Sequence, residues 1–517
     1  MQRIEIYDTT LRDGAQGESI SFTLIDKLRI AEMLDAFGID FIEGGWPGSN
    51  PKDITFFQRI KNKKFNNAKV VAFGSTRRKD FSAESDPLLK KLIESEMEYI
   101  AIFGKSWDLH VTDVLRISPD DNLFIIEDSV KYLKKLGRKV FFDAEHFFDG
   151  YKMNPEYAMK TLLVAAEGGA DKIVLCETNG GVLPFDIEEI IKRVIEEIKL
   201  PVGIHTHNDS GLGVANAIAA VRAGAVHVQG TINGIGERCG NADLSIIIPI
   251  LQLKMGYQCL SEGSLVNLTK VSRFVYEIAN IVPPNSQPFV GLSAFAHKGG
   301  VHVDAVGKNP LTYEHINPVL VGNERRILLS ELSGKSTILQ KTKNFGLDQK
   351  PDVVRKLLDE IAILENEGYQ FESAEGSFDI MVRKAIGKYQ HLFTIEGFRV
   401  IVEKRGRKVV SEATVKVRVG KEISHTASEG NGPVNALDNA LRKALVKFYP
   451  EIESIRLTDY KVRILNPEKA TGAITRVIIE TNDGSSSWGT LGVSENIIEA
   501  SWKALVDSID YKLHKTR

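Results

Sequence analysis

The run VGIHTHND, residues 202–209, decides how this chain is read. Apolar and polar residues alternate along it, and side chains two apart on a strand share one face. His205 and His207 therefore project together, with Asn208 and Asp209 directly behind them. Seven further runs have the same short, β-rich character: RIEIYDTT (3–10), DFIEGGW (40–46), VVAFGST (70–76), YIAIFG (99–104), KVFFDAEH (139–146), KIVLCET (172–178) and HVQGTING (227–234). Between them lie segments with helical spacing, such as LIDKLRIAEMLDAFG (24–38) and PEYAMKTLLVAAEGGA (155–170), several of which end in Gly as a helix C-terminus does.

Eight β-α units over roughly 250 residues predict an α/β fold, a (β/α)8 TIM barrel. A doubly wound sheet is disfavoured because no GxGxxG follows the first strand, and GLGVANAIAAVRAG (211–224) follows the seventh without an acidic ribose partner. Barrel active sites lie at the carboxyl ends of the strands. Asp8, Arg12, Asp13, Glu43, Asp143, Glu145, Glu177, Thr178, His205, His207 and Asn233 are expected there.

Within that crowd, His205 and His207 on strand seven, Asp13 after strand one and Asn241 after strand eight form a mixed N/O set. Such a set suits an accessible divalent metal ion (Mn2+, Mg2+ or Zn2+) rather than a closed structural zinc. Amidohydrolase barrels, which carry HxH on the first strand, do not fit, because the first strand here ends DTTLRDG.

The 517 residues are 43% apolar and 26% charged with a formal net charge of −2, which gives no reason to invoke nucleic acid or an anionic membrane. No run of about 20 apolar residues is present, and the first residues enter a strand without a signal-peptide core. Cys176, Cys239 and Cys259 are widely spaced without CxxC and are expected as small buried residues in a reducing, cytoplasmic compartment.

Four motifs resemble the metal-dependent acyl-CoA condensing barrels, the 2-isopropylmalate, homocitrate and citramalate synthases. They are DTTLRDGAQ (8–16), HTHND (205–209), NGIGERCGNAD (233–243) and AFAHKGGVHVDAV (294–306). IEGGWPGSNPKD (42–53) and DAEHFFDGY (143–151) look more like the citramalate-forming branch. The resemblance implies condensation of acetyl-CoA with pyruvate in isoleucine biosynthesis; the same chemistry on 2-oxoisovalerate and a metal-dependent 3-hydroxyacyl-CoA lyase are the alternatives. By motif it implies Asp13, His205, His207 and Asn241 as metal ligands, Arg12 on the keto oxygen, and Thr178 on the substrate carboxylate. It assigns catalytic roles to Arg12, Glu145, His302, Asp304 and Tyr313. His302 is the natural base because its ordinary pKa lies near working pH, and Asp304 is placed to orient it. Phe73, Ile102 and Phe103 are candidates for the pocket wall. One departure is Glu177, where the family's form of CETNGG has Asp.

Beyond the barrel (1–264), residues 265–370 are expected to form a helical linker subdomain, with loops at IVPPNSQP (281–288) and HINPVLVGNERR (315–326). In the resembling enzymes this segment reaches over a partner barrel, which implies a homodimer with His302 acting in trans. Residues 371–517 repeat at an offset of sixty: Val417 matches Val477, Gly432 matches Gly492, Ala440 matches Ala500, and KALV recurs. That predicts a pseudo-symmetric α+β domain with an internal β-α repeat. In the family it is regulatory, which implies isoleucine as feedback inhibitor.

Overall fold

A computed structural model describes residues 2–328 and 351–516. Part of the expected linker, 329–350, lies outside the described residues. The chain forms two compact units, residues 1–295 with 316–324, and residues 296–315 with 325–517.

The first unit is built on a closed parallel barrel of β1 (Glu5–Asp8), β2 (Phe41–Gly45), β3 (Lys69–Ser75), β4 (Tyr99–Lys105), β5 (Lys139–Glu145), β6 (Lys172–Glu177), β7 (Val202–Thr206) and β8 (His227–Gly230). Pairing of β1 with β8, Glu5 opposite His227, closes it. All eight strands fall on the runs read from the sequence, β3 and β4 each reaching one residue beyond its run. Local signals set the helices between them. Thr23 and Asp26 form a capping box at the start of Leu24–Phe37, and Gly38, at φ 100°, ends that helix in the left-handed region.

Alternation sorts the strand residues into two layers. Ile6, Ile42, Ile100, Ile102, Phe142, Leu175, Ile204 and Val228 belong to the core shared with the surrounding helices. Tyr7, Phe41, Val71, Phe73, Ala101 and Phe141 fill the interior. At the amino-terminal end Lys172 pairs with Glu5 and lies 3.0 Å from His227 Nδ1. Its ammonium sits 4.7 Å from the Phe141 ring centre, so that end of the barrel is plugged. Residues 268–278, a helix after the barrel, pack back on this unit: Ser272 donates to Asn233 Oδ1 at 2.5 Å.

In the second unit, β11 (Thr394–Arg405), β12 (Lys408–Val419) and β13 (Glu422–Gly430) form one antiparallel sheet, and β14 (Arg456–Ile464), β15 (Thr475–Asn482) and β16 (Ser487–Ser494) another. The short parallel pair β9 (Ala296–His297) and β10 (Arg326–Ile327) precedes them. Each sheet is followed by a helix, Pro433–Leu445 and Ile497–Lys515. Val417 and Val477 occupy the central strands, and both are buried in one core with Ala440 and Ala500. The repeat therefore holds, with three strands per unit. It fails at the glycines: Gly432 caps the first helix, whereas Gly492 lies within β16, because the second helix begins later in its repeat.

Candidate metal centre and substrate cavity

At the carboxyl end of the barrel a cavity of about 200 Å³ is lined by residues from all eight strands or the loops that follow them. On its floor stand Asp13, His205 and His207, all buried, with potential ligand atoms within 4.8 Å of one another. His205 Nε2 lies 3.4 Å from Asp13 Oδ2 and 3.3 Å from His207 Nε2. The two imidazoles share a face because they are two apart on β7 and its continuation, where His207 bridges to Asn241 across the backbone. Asn241 is 1% exposed, and its Oδ1 is buried without a hydrogen-bond partner. Its amide nitrogen donates to the Ile235 carbonyl at 3.2 Å. Gly236 makes that packing possible, since a Cβ there would sit 2.1 Å from Asn241 Nδ2.

The electrostatics suit metal binding. Burial lowers both histidines, His205 to about 3, so each ring is neutral near pH 7. Burial works against ionisation of Asp13, but Arg12, His205 and His207 outweigh it and hold the carboxyl below its ordinary value. Two neutral imidazoles, a carboxylate and an unpaired amide oxygen fit an open divalent site.

Arg12 is fixed beside this cluster. Its Nε donates to Glu43 Oε1 at 2.5 Å, Nη1 lies 3.5 Å from Asp13 Oδ2, and the guanidinium stacks 3.9 Å from the Phe73 ring centre. Glu43 is held in turn by the Tyr7 hydroxyl at 2.6 Å. Thr178 Oγ1 accepts from the His146 backbone N–H at 2.9 Å, which leaves its own proton free to donate into the cavity. Glu145 also lines the cavity, paired with Lys105 on the neighbouring strand.

Several expected residues stand elsewhere. Glu177 points away from the cavity, because its neighbours Cys176 and Thr178 take the inward positions. Its Oε1 accepts from the Gly181 and Val182 N–H groups at 2.9 and 3.3 Å, so the extra methylene serves a turn. Asp8 accepts from Thr10, and Asn233 faces the post-barrel helix. Ile102 is buried in the helix-facing layer, whereas its neighbour Phe103 and Phe73 do line the cavity. Cys239 is exposed, unlike Cys176 and Cys259.

His302, Asp304 and Tyr313 belong to the second unit. His302 and Tyr313 come together, with ring centres 4.2 Å apart. Among the described residues His302 makes no direct hydrogen bond to the Asp304 expected to orient it. The segment folds as the helix Gly300–Lys308, and residues two apart on a helix do not face each other. Asp304 pairs instead with Lys308 at 2.6 Å.

Sequence reasoning passed over Trp46, Gln16, Gln229, Lys105 and Arg238. Trp46 packs edge-on against Phe73 and Phe103, with ring centres 5.9 and 5.5 Å away, and completes an aromatic wall. Arg238 also lines the cavity, bound by Asp209 at 2.7 and 3.0 Å and donating to the Thr178 carbonyl at 2.7 Å. That gives Asp209, on the loop after β7, its place: it holds Arg238, which ties the loop after β8 to the loop after β6. Asn208 accepts from Gly213 N–H at 3.1 Å and shapes the turn after β7.

Comparison with known proteins agrees with this architecture. Residues 3–275 match the HMGL-like family, 289–368 the homocitrate synthase post-HMGL domain-like family, and 372–513 the LeuA allosteric (dimerisation) domain. The (R)-citramalate synthase of Geobacter sulfurreducens is 56% identical, covering 100% of this chain and 98% of its own. That of Aquifex aeolicus is 55% identical over 99% and 98%. The 2-isopropylmalate synthase of Methanocaldococcus jannaschii is 31% identical over 99% and 95%. With that identity sustained from the barrel to the last helix, the chain belongs to the (R)-citramalate synthase family of HMGL-like barrel proteins.

Proposed function

We propose that this protein is an acyltransferase that condenses acetyl-CoA with pyruvate and hydrolyses the thioester, giving (R)-citramalate and CoA in isoleucine biosynthesis. The observation that carries the reading is the buried Asp13–His205–His207 cluster beside Arg12, under a wall of Trp46, Phe73 and Phe103. A small, anionic 2-oxo acid suits that combination of cation-binding floor and aromatic wall.

Asp13, His205, His207 and Asn241 are the residues that would hold a divalent ion, Mn2+, Mg2+ or Zn2+. Bound there, the ion would polarise the keto group of the oxo acid. Arg12 donates to the keto oxygen as negative charge develops on it; Glu43 and Phe73 fix its plane, so little reorganisation is needed. Thr178 donates its hydroxyl proton to the substrate carboxylate. His302 takes the proton from the acetyl methyl group, Tyr313 stacks beside it, and Glu145 assists the base or activates water for thioester hydrolysis. Asp304 then supports the helix that carries His302 through its pair with Lys308. In this reading residues 1–264 form the catalytic barrel and 265–370 the linker, which supplies His302. Residues 371–517 bind isoleucine as feedback inhibitor, and the working state is a cytoplasmic homodimer. Among the described residues no helix is long and apolar enough to cross a membrane.

The test is acetyl-CoA-dependent thiol release with pyruvate, 2-oxobutyrate and 2-oxoisovalerate in parallel. Pyruvate is expected to be preferred; preference for 2-oxoisovalerate would overturn the substrate while leaving the chemistry. His302→Ala is expected to abolish most turnover and leave pyruvate binding intact, measured by calorimetry.

A further inference from the structure

Beneath the candidate metal centre a second layer of side chains governs which nitrogen His205 presents. His205 Nε2 faces Asp13 and His207, while Nδ1 points the other way, to Gln229 Oε1 at 3.1 Å. Gln229 is 1% exposed and stands opposite His205 in the β7–β8 register, so its amide has little room to leave. On its far side Gln229 Nε2 donates to Asp143 Oδ1 at 3.5 Å. Asp143 is itself buried on β5, and it keeps an acceptor oxygen whether or not it is protonated.

We propose that Gln229 is a positioning residue that holds His205 as the Nδ1–H tautomer through Oε1, with Asp143 anchoring the amide from behind, so that Nε2 keeps its lone pair for the metal. The inference rests on reading Asp13, His205 and His207 as the metal site. A neutral imidazole has one donor and one acceptor nitrogen, and the partner of one decides the role of the other. An imidazole turned to the other tautomer would aim an N–H at the place where a cation should sit. The carboxamide also fixes the ring plane, as an outer partner of a ligating histidine does. His207 lacks such support: its Nδ1 is buried without a hydrogen-bond partner. The two histidines are therefore unequal, and His205 is the pre-organised one.

The experiment measures Mn2+ affinity of the full-length protein by equilibrium dialysis, with far-ultraviolet circular dichroism as a check on folding. Gln229→Met keeps the length and removes the acceptor; it is expected to weaken Mn2+ binding about 10- to 100-fold. Gln229→Glu keeps an acceptor toward Nδ1 and faces an Asp143 carboxyl that burial and Glu43 push well above its ordinary value; it is expected to stay within about threefold of the parent. Glu restoring what Met loses is a result that a purely packing role would not produce. Mn2+ binding by Gln229→Met within twofold of the parent would overturn the proposal, as would a Glu variant as weak as Met. His207→Ala separates the two levels: if it leaves Mn2+ binding intact, the metal-site reading itself is wrong, whatever Gln229 does.

Discussion

Arg12 carries more of the site than any other single residue, because three independent contacts fix its plane. Glu43 binds Nε, Phe73 supports the face, and Asp13 lies 3.5 Å from Nη1. A lysine would keep the charge and lose the fork and the stacking. Arg12→Lys is therefore expected to lower kcat by about 10²-fold or more, with the KM for acetyl-CoA little changed, in steady-state kinetics. Trp46 acts on selectivity. Trp46→Ala opens the aromatic wall and is expected to raise relative turnover of 2-oxoisovalerate over pyruvate by about 10-fold or more, since each methylene accommodated is worth ~1–3 kcal/mol. At the other end of the barrel, His227 is pushed down to about 4, by burial first and then by Lys172. Its folded value lies below its ordinary one, so the unfolded chain takes up the proton first as pH falls. The stability it confers is complete above about pH 6.5 and is lost progressively toward pH 4, at a slope of up to ~1.4 kcal/mol per unit. Glu5, held near 2 by His227 and Lys172 against the effect of burial, adds a loss of the same sign at lower pH. His227→Gln is expected to flatten the pH dependence of denaturant-measured stability between pH 6.5 and 4.

Among the elements, the loop after β8 does the most with the fewest residues. Gly236 lets the Asn241 amide pack against the backbone, Arg238 reaches Asp209 and the Thr178 carbonyl, and Asn241 meets His207. Three loops are thereby locked around one cavity. In Gly236→Ala the new Cβ would lie 2.1 Å from Asn241 Nδ2, so Asn241 must move. The expected result is weaker Mn2+ binding by dialysis with the barrel still folded. Helix Leu24–Phe37 offers a plain control far from that loop: Thr23→Ala removes a capping box and is expected to cost ~1 kcal/mol in urea unfolding, with kcat unchanged.

Across the whole molecule, the barrel unit and the paired three-stranded sheets each have a core of their own. Isoleucine titration is expected to lower activity of the full chain, and an unchanged rate would leave residues 371–517 with an association role only. Removal of divalent ions by a chelator is expected to lower the melting temperature of the transition that contains the barrel, restored by Mn2+, because a ligand bound only to the folded state adds to its stability.

The eight strands, the cluster of Asp13, His205 and His207, and the carboxy-terminal repeat were all legible in the sequence, because each depends on a local period. Alternation puts two histidines on one face, helical spacing and glycines mark the crossovers, and a closed barrel joins its first strand to its last. The tertiary structure alone decided which way the remaining polar groups turn. Glu177 leaves the cavity because Cys176 and Thr178 hold the inward positions. Asp304 misses His302 because the segment winds into a helix. Gln229 and Trp46 enter the site only through register and long-range packing, Gln229 opposite His205 and Trp46 against Phe73 and Phe103. Periodicity assigns a side chain to a face; what it meets there depends on residues distant in sequence that share the same few cubic nanometres.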